Sequence, residues 1–183
     1  MSSSKKRQKR SQAEQAQWLF RRHKNANLLA EPGMNEFIVV LDHVKSDFNI
    51  GKIFRTADAF GAREVHLLGI NYFDPTPAKG SFKWVPAKFH EDMATCYAEL
   101  SSREYTLFTL DPGQGALLSD VLLPAKSAFI LGHEEFGHSF DYQEYRQIQP
   151  LRIPQVGKVQ SLNVSIAASL VMYEYIRQQS SKV

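Results

Sequence analysis

Three short stretches of this chain combine residue types that chemistry needs and core packing does not. The last of them, Ile153-Pro154-Gln155-Val156-Gly157-Lys158-Val159-Gln160-Ser161-Leu162-Asn163-Val164-Ser165, runs from an apolar strand end through a Gly-bearing loop into a helix start. A loop ending in Ser161-Leu162-Asn163 directs backbone N–H groups and small polar side chains into one pocket, which suits a polar cofactor better than packed core. Two earlier stretches repeat the strand, polar loop, helix construction. Phe37-Ile38-Val39-Val40-Leu41-Asp42 leads to Asn49-Ile50-Gly51-Lys52-Ile53-Phe54-Arg55-Thr56-Ala57, and Ala128-Phe129-Ile130-Leu131-Gly132 leads to His133-Glu134-Glu135-Phe136-Gly137-His138. Three polar loops after three buried strands would converge at one end of a sheet, where open α/β sheets bind ligands.

Taken singly, these residues have ordinary explanations. Arg55 falls off the apolar stripe of Ile50, Ile53, Phe54, Ala57 and Phe60, as a surface arginine does. Asn49 and Ser161 suit helix N-caps, whereas Asn163 is placed inside the first turn of the last helix. Gly132 and Gly157 permit close backbone approach, and Gly61 suits a left-handed helix cap. His133 and His138 are five apart with Gly137 between them, not the four that puts two zinc ligands on one helical face, so no metal is expected there. No strand is followed by Gly-x-Gly-x-x-Gly or a Walker loop, and Gly113-Gln114-Gly115 after Asp111-Pro112 reads as a turn.

The elements that must position these groups alternate. Apolar runs predict strands over 37–41, 64–68, 105–110, 128–131 and 149–153, with a weaker one at 85–89, and helices over 49–60, 91–101, 140–145 and 162–178. That alternation argues for an α/β fold with a mainly parallel sheet flanked by helices. Residues 1–33 read as a basic N-terminal extension, unstructured over 1–10 and helical over 11–29, where Ala16, Trp18, Leu19 and Phe20 lie among basic residues. Residues 34–183 read as the folded domain, with Glu31-Pro32-Gly33 as the break.

Composition is that of a globular protein, 43% hydrophobic and 22% charged over 183 residues, with no apolar run approaching a membrane span. Cys96 is the only cysteine, which on this reading excludes both an intrachain disulfide and a cysteine-based zinc site; a reducing, cytoplasmic setting follows. The net charge of +3 conceals an asymmetry: residues 1–30 carry eight basic side chains against Glu14 alone. Such an arm suits phosphate contacts, a solvated tail, or a transit peptide.

In order and spacing, the three polar stretches resemble the motifs of the SpoU family of RNA ribose 2′-O-methyltransferases, within the SPOUT superfamily. The likeness lies in Asn49-x-Gly51-x-x-x-Arg55-Thr56-Ala57, Leu131-Gly132-x-Glu134-x-x-Gly137 and Ile153-Pro154-x-x-Gly157-x-x-x-Ser161-Leu162-Asn163-Val164-Ser165, and extends over roughly 37–178. His133 and Glu135 depart from the family pattern, which has Asn before the glutamate and a small or basic residue after it. The resemblance implies a deep trefoil knot formed by roughly 131–178, an exception to the rule against knotted chains. It implies S-adenosylmethionine as cofactor, bound by main-chain groups of Thr109, Leu110, Gly132, Ile153, Ser161 and Leu162. It also implies catalysis by Arg55 with Asn49, Glu134, Ser161 and Asn163. Guanidinium is a poor general base, so orienting a phosphate or stabilising an alkoxide-like oxygen is the easier role for Arg55.

The likeness is nearest to tRNA guanosine 2′-O-methyltransferases that act in the D-loop, with rRNA as the alternative substrate. A non-catalytic RNA-binding factor on the same fold is a different class of reading. Lys79-Gly80-Ser81-Phe82-Lys83-Trp84-Val85 mixes basic and aromatic residues suited to RNA, although a Trp covering the core edge is the plainer explanation. Family members are typically homodimers, and the last helix offers Leu170, Val171, Tyr173, Tyr175 and Ile176 as surplus apolar surface.

Overall fold

The computed structural model describes residues 11–45 and 47–180; the absence of structure expected for 1–10 lies outside these. Seven strands form one sheet: β1 (Ile38–Asp42), β2 (Glu64–Leu68), β3 (Ala87–His90), β4 (Thr106–Leu110), β5 (Ala116–Leu117), β6 (Ser127–Leu131) and β7 (Ile148–Arg152). Their spatial order is β3-β2-β1-β6-β4-β7-β5, and every pairing is parallel. Parallel sheets are covered on both faces, so central strands need not alternate. β1, β2 and β6 are accordingly buried along their whole length.

The pleat divides the core in two. Phe37, Val39 and Leu41 face a cluster with residues of α1 (Gln12–Asn27), α2 (Asp47–Ala59) and α4 (Val164–Ser180). Ile38 and Val40 face a second cluster under α3 (Met93–Ser102). Tyr175 of α4 packs its ring 4.8 Å from Phe37 and donates its hydroxyl to the Ala125 carbonyl at 2.7 Å. Val171 and Tyr175 are therefore core residues rather than surplus surface. The exposed apolar residues of α4 are Ile166, Leu170 and Tyr173, spaced to form one stripe.

Several boundaries differ from expectation. The 140–145 helix is only a 3-10 turn, Tyr142–Glu144, too short to hold an α-helical ladder. The 79–85 segment forms the turn Ser81–Lys83; here Phe82 enters the core and Trp84 stays 55% exposed, so Phe82, not the tryptophan, covers the core edge. Gly61 does adopt the left-handed conformation after α2, at φ 59°. β5 escapes the sequence patterns because it has two residues; Gly115 precedes it at φ 91°, where a Cβ would meet the Pro150 carbonyl oxygen. The sheet thus ends on one side in two-residue β5 and on the other in four-residue β3, which carries Lys88 and follows Pro86.

Helix α1 is bound to the domain. Ser11 and Glu14 form a capping box at its start, and Ala16, Phe20, His23 and Asn27 are buried along one face. Phe20 lies against Tyr72, Phe73 and Phe82. Asn27 closes the attachment: its amide donates to the Phe82 and Val85 carbonyls, both at 2.7 Å, and its oxygen accepts the Ala87 N–H at 2.9 Å. Removing this side chain leaves three backbone groups without their partner. Asn27→Ala should lower stability by about 2–4 kcal/mol, read as a lower urea midpoint with unchanged slope; an unchanged midpoint would show that water replaces the amide at no cost.

Candidate active site

Strands β6, β4 and β7 are neighbours, and beyond their C-terminal ends lies a cavity of ≈ 560 Å³. Leu110 and Asp111 line it after β4, Leu131 and Gly132 after β6, and Ile153 after β7; Ser161, Leu162, Val164 and Ala167 close it at the start of α4. Five of the six expected cofactor residues, Leu110, Gly132, Ile153, Ser161 and Leu162, thus share one wall system. The sixth does not: Thr109 is fully buried behind it, its hydroxyl bonded to Nε2 of His138, which lines the cavity. The volume suits a ligand of nucleoside size. Gln155, also in the lining, keeps a buried side-chain oxygen without a partner, an acceptor available to a polar ligand.

The loop after β6 is shaped by its own backbone. His133 and Gly137 exchange N–H to O=C bonds at 2.7 and 3.0 Å. Gly132 is required there, because a Cβ would lie 2.6 Å from the Gly137 carbonyl. The family's asparagine is replaced by His133, whose Nδ1 accepts the N–H groups of Glu135 and Phe136 at 3.0 and 3.2 Å. A ring nitrogen that accepts two N–H groups carries no proton, so the proton sits on Nε2. The imidazole thus supplies the acceptor that an amide oxygen would. Gly157, by contrast, has open space around its Cα, so no close approach within the chain explains it.

The three motifs meet at one amide. Asn49 is buried inside α2, two residues past its start at Asp47, and so is not its N-cap. Its Nδ2 donates to Glu134 Oε1 at 2.8 Å, and its Oδ1 accepts from Asn163 Nδ2 at 3.2 Å. Asn163, not Ser161, caps α4: its Oδ1 accepts the Ser165 N–H at 3.0 Å and the Ser165 hydroxyl at 2.6 Å. Burial opposes ionisation of Glu134, but the Asn49 amide and the N–H groups of Glu134 and Lys45 outweigh it and hold the carboxyl below its ordinary range. Arg55 stands apart. It lies six residues beyond Asn49, about 9 Å along the helix and well round its circumference, exposed and without a hydrogen bond or ion pair to any described residue.

Asp42, which sequence reasoning did not single out, locks the other side of this loop. Its fully buried carboxylate accepts from His43 Nδ1 at 2.7 Å and from both the N–H and the hydroxyl of Ser139 at 2.7 Å, with His138 Nδ1 3.6 Å away. The available signal was a carboxylate ending a fully apolar strand. A second cavity of ≈ 480 Å³ lies along the same loop, shares His133, Gly137 and His138 with the first, and adds Lys45, Tyr72 and Phe136. Among the described residues no helix is long and apolar enough to cross a membrane.

Comparison with known proteins agrees with this geometry. The model of the SpoU rRNA Methylase family matches residues 36–173. The tRNA (guanosine(18)-2'-O)-methyltransferase of Thermus thermophilus is 32% identical over 79% of this chain and 76% of its own length. The 23S rRNA (guanosine-2'-O-)-methyltransferase RlmB of Bordetella pertussis is also 32% identical, over 78% of this chain and 60% of its own. Among solved structures, the SpoU methyltransferase AviRb from Streptomyces viridochromogenes in complex with AdoMet superposes with a TM-score of 0.74 at 27% identity, covering 84% of this chain and 62% of that one. The A. aeolicus TrmH/SpoU tRNA modifying enzyme gives 0.73 at 26% identity, covering 88% and 84%.

The Asp42 cluster carries a pH signature. Although burial opposes its ionisation, the nearby His138 ring and the hydrogen bonds from His43 and Ser139 hold its carboxyl below the ordinary range. A depressed folded-state value gives stability that is full above the unfolded value of about 3.9 and lost as pH falls through the lower folded one. Asp42→Asn should therefore cost about 2–3 kcal/mol at neutral pH, and the gap from wild type should narrow as unfolding is followed into acid. A gap independent of pH would assign the loss to packing instead of charge.

Proposed function

The chain belongs to the SpoU methylase family, and on that premise we propose that it is an S-adenosylmethionine-dependent RNA methyltransferase that acts on a ribose 2′-hydroxyl in the cytoplasm. The observation that carries this reading is the convergence of Asn49, Glu134 and Asn163 beside the cavity at the ends of β4, β6 and β7. In this reading main-chain groups around Leu110, Gly132, Ile153, Ser161 and Leu162 hold the cofactor's adenosine, and Gln155 offers it a hydrogen-bond acceptor. When bound, the cofactor supplies an electrophilic methyl group. The protein's own task is then to exclude water, aim the ribose and stabilise charge that develops on its oxygen.

Arg55 takes the last role. Its guanidinium has no partner among the described residues, so it is available to an RNA phosphate and to the reacting oxygen without first breaking an ion pair. Glu134, Asn49 and Asn163 act by fixing the loop and helix start between which the ribose must enter. The second cavity, with Lys45, Tyr72 and Phe136, and the exposed Trp84 with Lys83 Nζ 4.8 Å from its ring centroid, suit nucleotides through stacking and phosphate contact. tRNA, with a D-loop guanosine as target, is the substrate favoured by the Thermus relative; rRNA is the second reading, favoured by the Bordetella one.

Two structural proposals belong with this function. The segment from Leu131 to Gln178 is inferred to form the knot, supported by β6 lying between β1 and β4 while β7 lies beyond β4 and α4 returns against α2. A homodimer is inferred to close on the α4 stripe of Ile166, Leu170 and Tyr173. Thr56, next to Arg55 on α2, lies 3.4 Å from Ser169 of α4 hydroxyl to hydroxyl, which supports a link between Arg55 and assembly in this reading.

Labelled methyl groups should pass from S-adenosylmethionine into unmodified tRNA, and nuclease digestion should recover a 2′-O-methylguanosine. Incorporation only into rRNA would replace the substrate, and none into either would favour a silent binder. Arg55→Ala should cut transfer by about 10²–10³-fold while leaving cofactor affinity within about twofold. Full activity in that variant would remove Arg55 from the chemistry.

A further inference from the structure

Buried polar side chains that the cavity does not use gather under α3. His66, in the middle of β2, has no exposed surface, and its Nε2 lies 2.9 Å from Glu64 Oε2. A carboxylate only accepts, so Nε2 carries the proton and Nδ1 presents a lone pair. Two further donor groups converge on that lone pair. Nε2 of His90, at the end of β3, lies 3.1 Å away, and Sγ of fully buried Cys96, on α3, lies 3.8 Å away. One donor atom from each of the three lies within 4.8 Å of the others.

The two separations from His66 Nδ1, 3.1 and 3.8 Å, are close to the edges of a tetrahedron around zinc. With Zn–N near 2.05 Å and Zn–S near 2.3 Å, neighbouring ligand atoms stand roughly 3.3 Å apart for N–N and 3.6 Å for N–S. The surroundings match as well. A histidine that binds a metal through one nitrogen usually donates the other to a carboxylate. Glu64 fills that place and is itself fixed by Arg103, at 2.7 and 3.0 Å.

We propose that His66 Nδ1, His90 Nε2 and Cys96 Sγ form a zinc site that fastens edge strand β3 and helix α3 to β2. On binding, the Cys96 thiol releases its proton to solvent, and the His90 proton moves from Nε2 to Nδ1; nothing is oxidised or reduced. The fourth position falls to water or to Glu99, whose Oε2 is 3.9 Å from His90 Nε2. His90 keeps 9% of its side chain exposed and provides the way in. β1 separates this cluster from the strands that end at the cavity, so the metal holds the fold and takes no part in the transfer reaction. The exclusion of a cysteine-based zinc site from a single cysteine counted thiolates alone; a site completed by two histidines needs only one. The competing occupant is a single proton, shared as an ordinary hydrogen bond between the two imidazoles.

The test is cobalt substitution in untagged, chelator-stripped, full-length protein. One equivalent of Co²⁺ should give tetrahedral visible absorption and a thiolate-to-cobalt charge-transfer band, both removed by one equivalent of Zn²⁺. Cys96→Ser should lose the charge-transfer band, and His90→Gln should bind about tenfold or more weakly. Zinc should raise the melting temperature of wild type and not of His90→Gln. A wild-type cobalt spectrum without the charge-transfer band would overturn the proposal even if both variants failed to fold. Unchanged cobalt binding in the two variants would overturn it by assigning the metal to other histidines.

Discussion

The active-site end of this molecule depends on the polarity of one side-chain amide. Asn163 commits its oxygen to capping α4, which leaves only its Nδ2 to point outward. Asn49 must therefore present its oxygen to Asn163 and its nitrogen to Glu134, whose carboxyl oxygen accepts it. Only a residue with a donor and an acceptor on one short stem can do this from inside a helix. Aspartate would set two carboxylates against each other, and an apolar residue would leave both partners unsatisfied at a part-buried site. The helix start, the loop after β6 and α2, far apart in the chain, are oriented by a single directional chain of hydrogen bonds.

The departures from the family pattern fit inside that constraint. His133 replaces the expected amide but keeps an acceptor where Glu135 and Phe136 present their N–H groups, so the loop that carries Glu134 closes on that ring. Asp42 and Ser139 brace its far end from β1. Glu134 thus sits on a loop held at both sides, and its own bond to Asn49 ties that loop to α2.

Much of this was legible in the sequence. The order of the three polar stretches, the strands that precede them and the alternation that makes the sheet parallel are all local patterns. What was not legible depends on where a helix begins or which layer a side chain occupies. Ser161 and Asn163 are both competent caps, and a two-residue difference in the start of α4 decides between them. Asn49 looked like a cap because Asp47, two residues earlier, gives no stronger start signal. Thr109 ends a strand as expected, yet His138 comes between it and the cavity. Asn27 lies unremarked inside the helix expected over 11–29, and only the fold brings Phe82, Val85 and Ala87 to it. Pro150 sits inside the strand expected over 149–153; it is accommodated because β5 pairs with β7 only at Leu151 and Arg152, leaving the proline's missing N–H on an unpaired side.

The two short borders of the sheet have a consequence for how the molecule can associate. An unpaired strand is a template on which another chain can add, and proteins avoid this with brief edges, lysine and proline. Two-residue β5 offers too little backbone for such pairing, and β3 presents four residues with Lys88 among them and Pro86 just before. Growth by sheet extension is closed at both ends. Any self-association is thereby diverted to helix faces, where an isologous contact would stop at a finite size instead of propagating as a fibre.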